Sequence, residues 1–132
     1  MGKQIGGLSS EQLSQVVAKG MQEKKAEDIV LMDLRKVSNA VADFFVICSG
    51  TSDTHIEAIA DSVDKEVSAV DGESPWHKEG VNNKTWVLLD YVDVVVHIFN
   101  KDKRVFYELE ELWGDAKITK LEEEEEYNDL KF

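Results

Sequence analysis

At 132 residues the chain has the length of one ordinary domain, and with 42% hydrophobic residues, 32% charged residues and one proline it is a folded protein with a core, neither disordered nor fibrous. Its 27 acidic residues against 15 basic ones set a formal net charge of −12, which repels a phosphate backbone and argues against direct nucleic-acid binding. The last 16 residues hold six acids and three lysines, so residues 1 to 116 alone carry −9 and the acidity belongs to the domain itself. A field of this sign suits encounter with a basic protein surface, or serves solubility alone.

The spacing of Ser9 and Gln12 is that of a capping box, and Leu13, Val16, Val17 and Met21 follow at helical intervals, which predicts a first helix over residues 10–25. Ile29 to Leu34 and Asp43 to Cys48 are short apolar runs read as strands, the second a central one. The turn Ser49-Gly50-Thr51-Ser52 is rich in cap formers, and Ile56, Ile59, Ala60, Val63 and Val67 then trace one face of a second long helix that ends at Asp71-Gly72. Lys84 to Asp90 and Asp93 to Phe99 read as a tight hairpin with Tyr91 and Val92 at its tip. A last helix is predicted over residues 103–113, stopped by Gly114. From Lys117 onward, Glu122 to Glu126 set five like charges in a row, so residues 117–132 are read as a solvated, flexible acidic tail behind a domain of residues 1–116. The fold class is α/β, a single mixed sheet flanked by helices.

Cys48 is the lone cysteine, which excludes an internal disulfide and fits a reducing compartment. The apolar run DFFVIC is too short to cross a bilayer and Met1 to Gly7 lack the apolar core of a signal peptide, so the expectation is a cytoplasmic protein that does not enter membranes.

No coherent catalytic set emerges. The Ser49-Gly50 turn lacks the glycines and lysine of a phosphate-binding loop and reads as helix capping. A magnesium-dependent nucleotidyltransferase-like site would need paired carboxylates on one strand face, but Asp90 and Asp93 are three apart and flank a turn, where such residues cap free amides. His55, His77 and His97 do not have zinc-ligand spacing; His97 alternates within a strand, where a buried histidine finds a hydrogen-bond partner. Cys48 ends an apolar strand and reads as a packed thiol. The expectation is a protein that binds, with no cofactor, metal or enzymatic activity.

Trp76, in Pro75-Trp76-His77, and Tyr91, at the hairpin tip, are left as the candidate anchors. Glu79, Asp90 and Asp93 are acids beside them that suit a basic partner. Periodicity is equally consistent with Trp76 covering the sheet edge and Tyr91 packing on its own hairpin. A third possibility is self-association into a homodimer through the sheet edge or this aromatic surface.

The segments DFFVICSGTS, IEAIADSV, PWHKEG, WVLLDYVDVVVHIF and FYELEELW together resemble the ribosomal silencing factor family, also called Iojap-related proteins. The resemblance implies a fold related to nucleotidyltransferases without their catalytic set. It also implies a translational repressor that binds the large ribosomal subunit through ribosomal protein L fourteen and prevents the small subunit from joining. Carried over by motif, it places Trp76, Glu79, Tyr91 and Asp93 at the partner interface. Val92 stands where the family usually has glycine, and a β-branched residue there is strained if the turn needs positive φ; Val92 is therefore either part of a different turn or an added apolar contact at the tip.

Overall fold

Residues 8–103 and 116–121 are described in the computed structural model. The first helix, α1 (Ser10–Glu23), starts with the expected reciprocal cap: Gln12 N–H donates to Ser9 Oγ at 3.1 Å and Ser9 N–H donates to Gln12 Oε1 at 2.9 Å. It stops two residues short of the predicted end, because Lys24 N–H turns back to Met21 O and Lys25 adopts φ 57°. Strands β1 (Glu27–Asp33) and β2 (Phe44–Gly50) follow, the second buried along its whole length as its unbroken apolar run demands.

Ser52 caps the N-terminus of α2 (Asp53–Asp71), and Gly72, at φ 71°, ends it in the left-handed conformation that glycine adopts at little cost. His55, in its first turn, is a structural tie. Its Nδ1 accepts from Thr51 N–H at 2.9 Å, leaving Nε2 to donate to Lys24 O at 2.7 Å, so the ring fastens the start of α2 to the end of α1. Three strands then complete this half of the chain: β3 (His77–Glu79), β4 (Trp86–Asp90) and β5 (Val94–Asn100).

With β6 (Lys117–Leu121), the strands form one six-stranded mixed sheet in the order β3-β4-β5-β2-β1-β6, with β2 and β5 parallel and every other neighbouring pair antiparallel. Both helices pack on one face. There Leu13, Val17 and Met21 of α1 and Ile56, Ile59 and Val63 of α2 meet Val46, Cys48, Val87, Leu89, Val96 and Ile98 of the sheet. The opposite face gathers Met32, Phe45, Ile47, Val95 and Phe99, with Val37, Ala40 and Ala42 of the β1–β2 connection against it. The α/β mixed sheet expected from the sequence is thus the fold, and no described helix is long and apolar enough to cross a membrane.

One boundary needs correction. Lys117–Leu121, assigned from sequence to the solvated tail, is strand β6, paired antiparallel with β1 from Ile29↔Leu121 to Asp33↔Lys117. The free edge of β1 offers a template of unpaired backbone groups, which even a charged, mostly exposed segment can complete. The sheet therefore extends past residue 116. The helix predicted over 103–113 lies, from residue 104, outside the described residues, as does the acidic run at 122–126.

The two helices touch at Gly20. A Cβ there would lie 2.9 Å from Val63 Cα, and Ser62 Oγ donates to Gly20 O at 2.8 Å across the same contact. Gly20→Ala is expected to push the helices apart and lower stability by roughly 1–3 kcal/mol, despite alanine's better helix propensity. Urea unfolding measures it; a variant as stable as the parent would show that the contact yields freely.

Candidate functional site

The surface singled out by sequence lies at the β3 edge of the sheet. After Gly72 the chain passes Pro75 and returns to the sheet at Trp76, whose N–H donates to Asp90 O at 2.8 Å and so begins the pairing of β3 with β4 (His77↔Asp90, Glu79↔Leu88). Gly80 reverses the chain at φ 77°, where a Cβ would collide with the Trp86 carbonyl oxygen and lie 2.9 Å from its carbon. The backbone that carries Trp76 is therefore fixed on both sides, while the residue is 76% exposed. A large apolar side chain on a hydrogen-bonded edge loses little entropy when something covers it.

The hairpin tip differs from its sequence reading by one residue. Tyr91 N–H donates to Val94 O at 2.9 Å, so Tyr91 still belongs to the ladder and the two-residue loop is Val92-Asp93. The alternation of β4 then turns Val87, Leu89 and Tyr91 together onto the helix face, and Tyr91 is a core residue, 1% exposed. The expectation of Tyr91 as an exposed anchor alongside Trp76 is overturned. Its hydroxyl is buried with no hydrogen-bond partner among the described residues, and burial, with the carboxylates of Asp64 and Glu73 as further causes, pushes its pKa up.

Val92 instead takes the exposed position, at φ 77° and half exposed. Its N–H donates to Asp90 Oδ1 at 2.7 Å, and Asp93 N–H closes a γ-turn around it onto Tyr91 O at 3.0 Å. The turn thus does not differ in the sense of avoiding positive φ: it has the left-handed conformation that favours glycine, and valine bears it under strain. Asp90 spans the site: its backbone carbonyl holds Trp76 and its carboxylate holds Val92. The reading of Asp90 as a cap for a free amide is borne out.

Asp93 is half-buried, and its carbonyl accepts from Asp43 N–H at 2.8 Å and Phe44 N–H at 3.1 Å, which ties the tip to the start of β2. Glu79 is exposed on β3, with its Oε2 2.8 Å from His77 Nε2. Lys78 points to the other face of the strand, toward Asp64 of α2 at 3.7 Å. Trp76 and Val92 are accordingly exposed apolar residues whose backbone N–H groups both donate to Asp90, the first to its carbonyl and the second to its carboxylate.

Behind this edge the second face of the sheet holds a pair that sequence reasoning did not anticipate. Trp86 Nε1–H donates to His97 Nδ1 at 3.0 Å, and the imidazole packs edge-on to Phe45 with centroids 4.6 Å apart. The partner expected for a buried strand histidine is therefore Trp86, and the alternation within each strand was the sole signal for it. With Nδ1 accepting, Nε2 carries the proton, and it is buried without a partner among the described residues. Burial lowers the His97 pKa to about 4.

That depression fixes a sign. Between pH ~6.5, the ordinary value, and about 4, the unfolded chain binds a proton that the folded chain refuses. The contribution of the neutral ring is complete above this window and is lost as pH falls through it, by about 3 kcal/mol in total. His97→Gln keeps an acceptor for Trp86 and removes the titration, so its stability is expected to fall less than the parent's between pH ~7 and ~4.5. Parallel slopes in urea titrations of the two proteins would contradict this.

Comparison with known proteins gives a consistent result. Residues 8–131 match the family described as ribosomal silencing factor during starvation. The chain is 42% identical over 115 residues to the ribosomal silencing factor of Halalkalibacterium halodurans, covering 87% of this chain and 97% of that one. It is 40% identical over 115 residues to that of Bacillus subtilis, covering 87% and 96%. A crystal structure of a Chromobacterium violaceum protein superposes with a TM-score of 0.76 at 28% identity, over 83% of this chain and 90% of the other.

Proposed function

This chain belongs to the ribosomal silencing factor family, whose role is ribosome-associated regulation of translation, and from that membership we propose how it acts. It is a cytoplasmic translational repressor that docks on the large ribosomal subunit through ribosomal protein L fourteen and occupies space that the small subunit needs. Repression is steric and requires no bond to form or break.

The observation that carries this reading is Trp76, 76% exposed on a hydrogen-bonded edge of the sheet. Trp76 is the central anchor, Val92 extends it, and Glu79 and Asp93 supply acceptors to a basic protein surface. Buried aromatic anchors contribute most to such interfaces, while charges at the rim chiefly steer encounter. Tyr91 contributes from beneath, as the core residue on which the tip rests. The net charge of −12 favours a basic protein over the surrounding RNA, whose phosphates it repels. Metal ligation by Asp90 and Asp93 is the weaker reading, since Asp90 Oδ1 is already engaged by Val92 N–H.

Cosedimentation with purified subunits tests the docking. The protein is expected in the pellet with large subunits and in the supernatant with small ones; equal recovery with both, or with neither, would contradict it.

A further inference from the structure

We propose that Asp90 is a positioning residue that locks Val92 in the left-handed conformation, so that its exposed isopropyl group serves as a specificity-determining contact for an apolar spot on a basic protein surface. The inference rests on the docking reading above and deepens it.

Three observations lead there. Val92 is a β-branched residue at φ 77°, a conformation that persists where the surroundings over-determine it. The surroundings do so through short contacts: Val92 N–H to Asp90 Oδ1 at 2.7 Å, Asp93 N–H to Tyr91 O at 3.0 Å, and the Asp93 carbonyl held by two amides at the start of β2. The side chain so held does not pack in the core. It is 51% exposed, in a tip where glycine would satisfy the same backbone without strain.

Strain that gains nothing for the folded chain is expected to serve something outside it. Asp90 also accepts the Trp76 backbone N–H through its carbonyl oxygen, so one residue holds the backbone at both exposed apolar residues. Glu79 on β3 and Asp93 at the tip are carboxylates of the same sheet edge, which suits a partner with an apolar depression bordered by lysine or arginine. A partner that meets glycine at the tip loses the contact, and a partner built for a flatter tip meets a clash, so the residue at this position discriminates between large-subunit surfaces.

Thermal unfolding and binding to purified large ribosomal subunits are measured together for Val92→Gly, Val92→Thr, Asp90→Ala, Asp90→Asn and the Asp90→Ala/Val92→Gly pair. Val92→Gly is expected to raise the unfolding midpoint while weakening binding about five-fold or more. Val92→Thr keeps the branch and the strain but exchanges a methyl for a hydroxyl, and is expected to weaken binding with the midpoint unchanged. Asp90→Ala is expected to lower both, Asp90→Asn to retain both through its amide oxygen, and the double variant to bind no worse than Val92→Gly alone. Val92→Gly that binds like the parent would overturn the specificity role. Asp90→Ala that costs as much stability in the Val92→Gly background as in the parent would overturn the positioning role. Parent protein that leaves large subunits bare would instead remove the docking reading, while the unfolding data still decide whether Asp90 supports Val92.

Discussion

Trp76→Ala is expected to weaken binding to the large subunit about thirty-fold or more, which corresponds to on the order of 2 kcal/mol, while leaving the fold intact. The indole is among the most exposed apolar side chains described and contributes little to the core, so its removal should change stability by less than about 0.5 kcal/mol. What holds the segment is the backbone bond from Trp76 N–H to Asp90 O, and alanine keeps it. Trp76→Phe should lose less, because a smaller ring keeps part of the apolar contact. Cosedimentation against a dilution series measures the loss, and an unfolding curve on the same preparation separates it from misfolding. Binding unchanged in Trp76→Ala would remove this edge from the interface.

Gly80→Ala is expected to have the largest structural effect. The added Cβ would meet the Trp86 carbonyl oxygen, at a φ of 77° that alanine also resists, and neither conflict involves a flexible side chain that can move aside. Strain and overpacking together put the cost at roughly 2–4 kcal/mol. The damage should fall on the β3–β4 pairing, and therefore on the mounting of Trp76, while the α1–α2 face keeps its packing. Hydrogen exchange is expected to accelerate at the amides of β3 and its partner strand before those of β2 and β5. Gly80→Asn isolates the cause: asparagine tolerates positive φ but carries the same Cβ, so it should be nearly as harmful. Exchange that accelerates uniformly across the sheet would show that the edge is not a separate unit.

Much of the fold is legible in the sequence, and particular residues show why. The capping box at Ser9 and Gln12, the apolar face of α2 and the unbroken run in β2 each carry their own local signal, and each lies where it is expected. Strand β6 carries none. Lys117, Thr119 and Lys120 read as solvated, and the segment becomes a strand because β1 has an unpaired edge, which is a tertiary fact. Tyr91 moves from the tip to the core through a one-residue difference in where the turn sits, and with period-two alternation one residue changes the face.

Val92 is legible as a conflict, since a β-branched residue at a turn is unusual, but the conflict alone does not say which of its two readings holds. The backbone at φ 77° with Asp90 against its amide shows only that the turn needs positive φ. The Trp86–His97 pair is hidden because cross-strand partners follow from register, which no local pattern fixes. Of the candidate residues, Trp76, Glu79 and Val92 are exposed and Asp93 is half-buried, Asp90 holds the backbone at Trp76 and Val92, and Tyr91 lies in the core.

Exclusion of the small subunit by docking is tested most directly by a subunit-joining assay. Purified large and small subunits are mixed under conditions that favour association, with and without the protein, and separated on a sucrose gradient. Free subunits are expected to persist when the protein is present and to join when it is replaced by Trp76→Ala at the same concentration. Joined particles that form equally well in the presence of the parent protein, at concentrations that saturate the large subunit, would contradict steric repression.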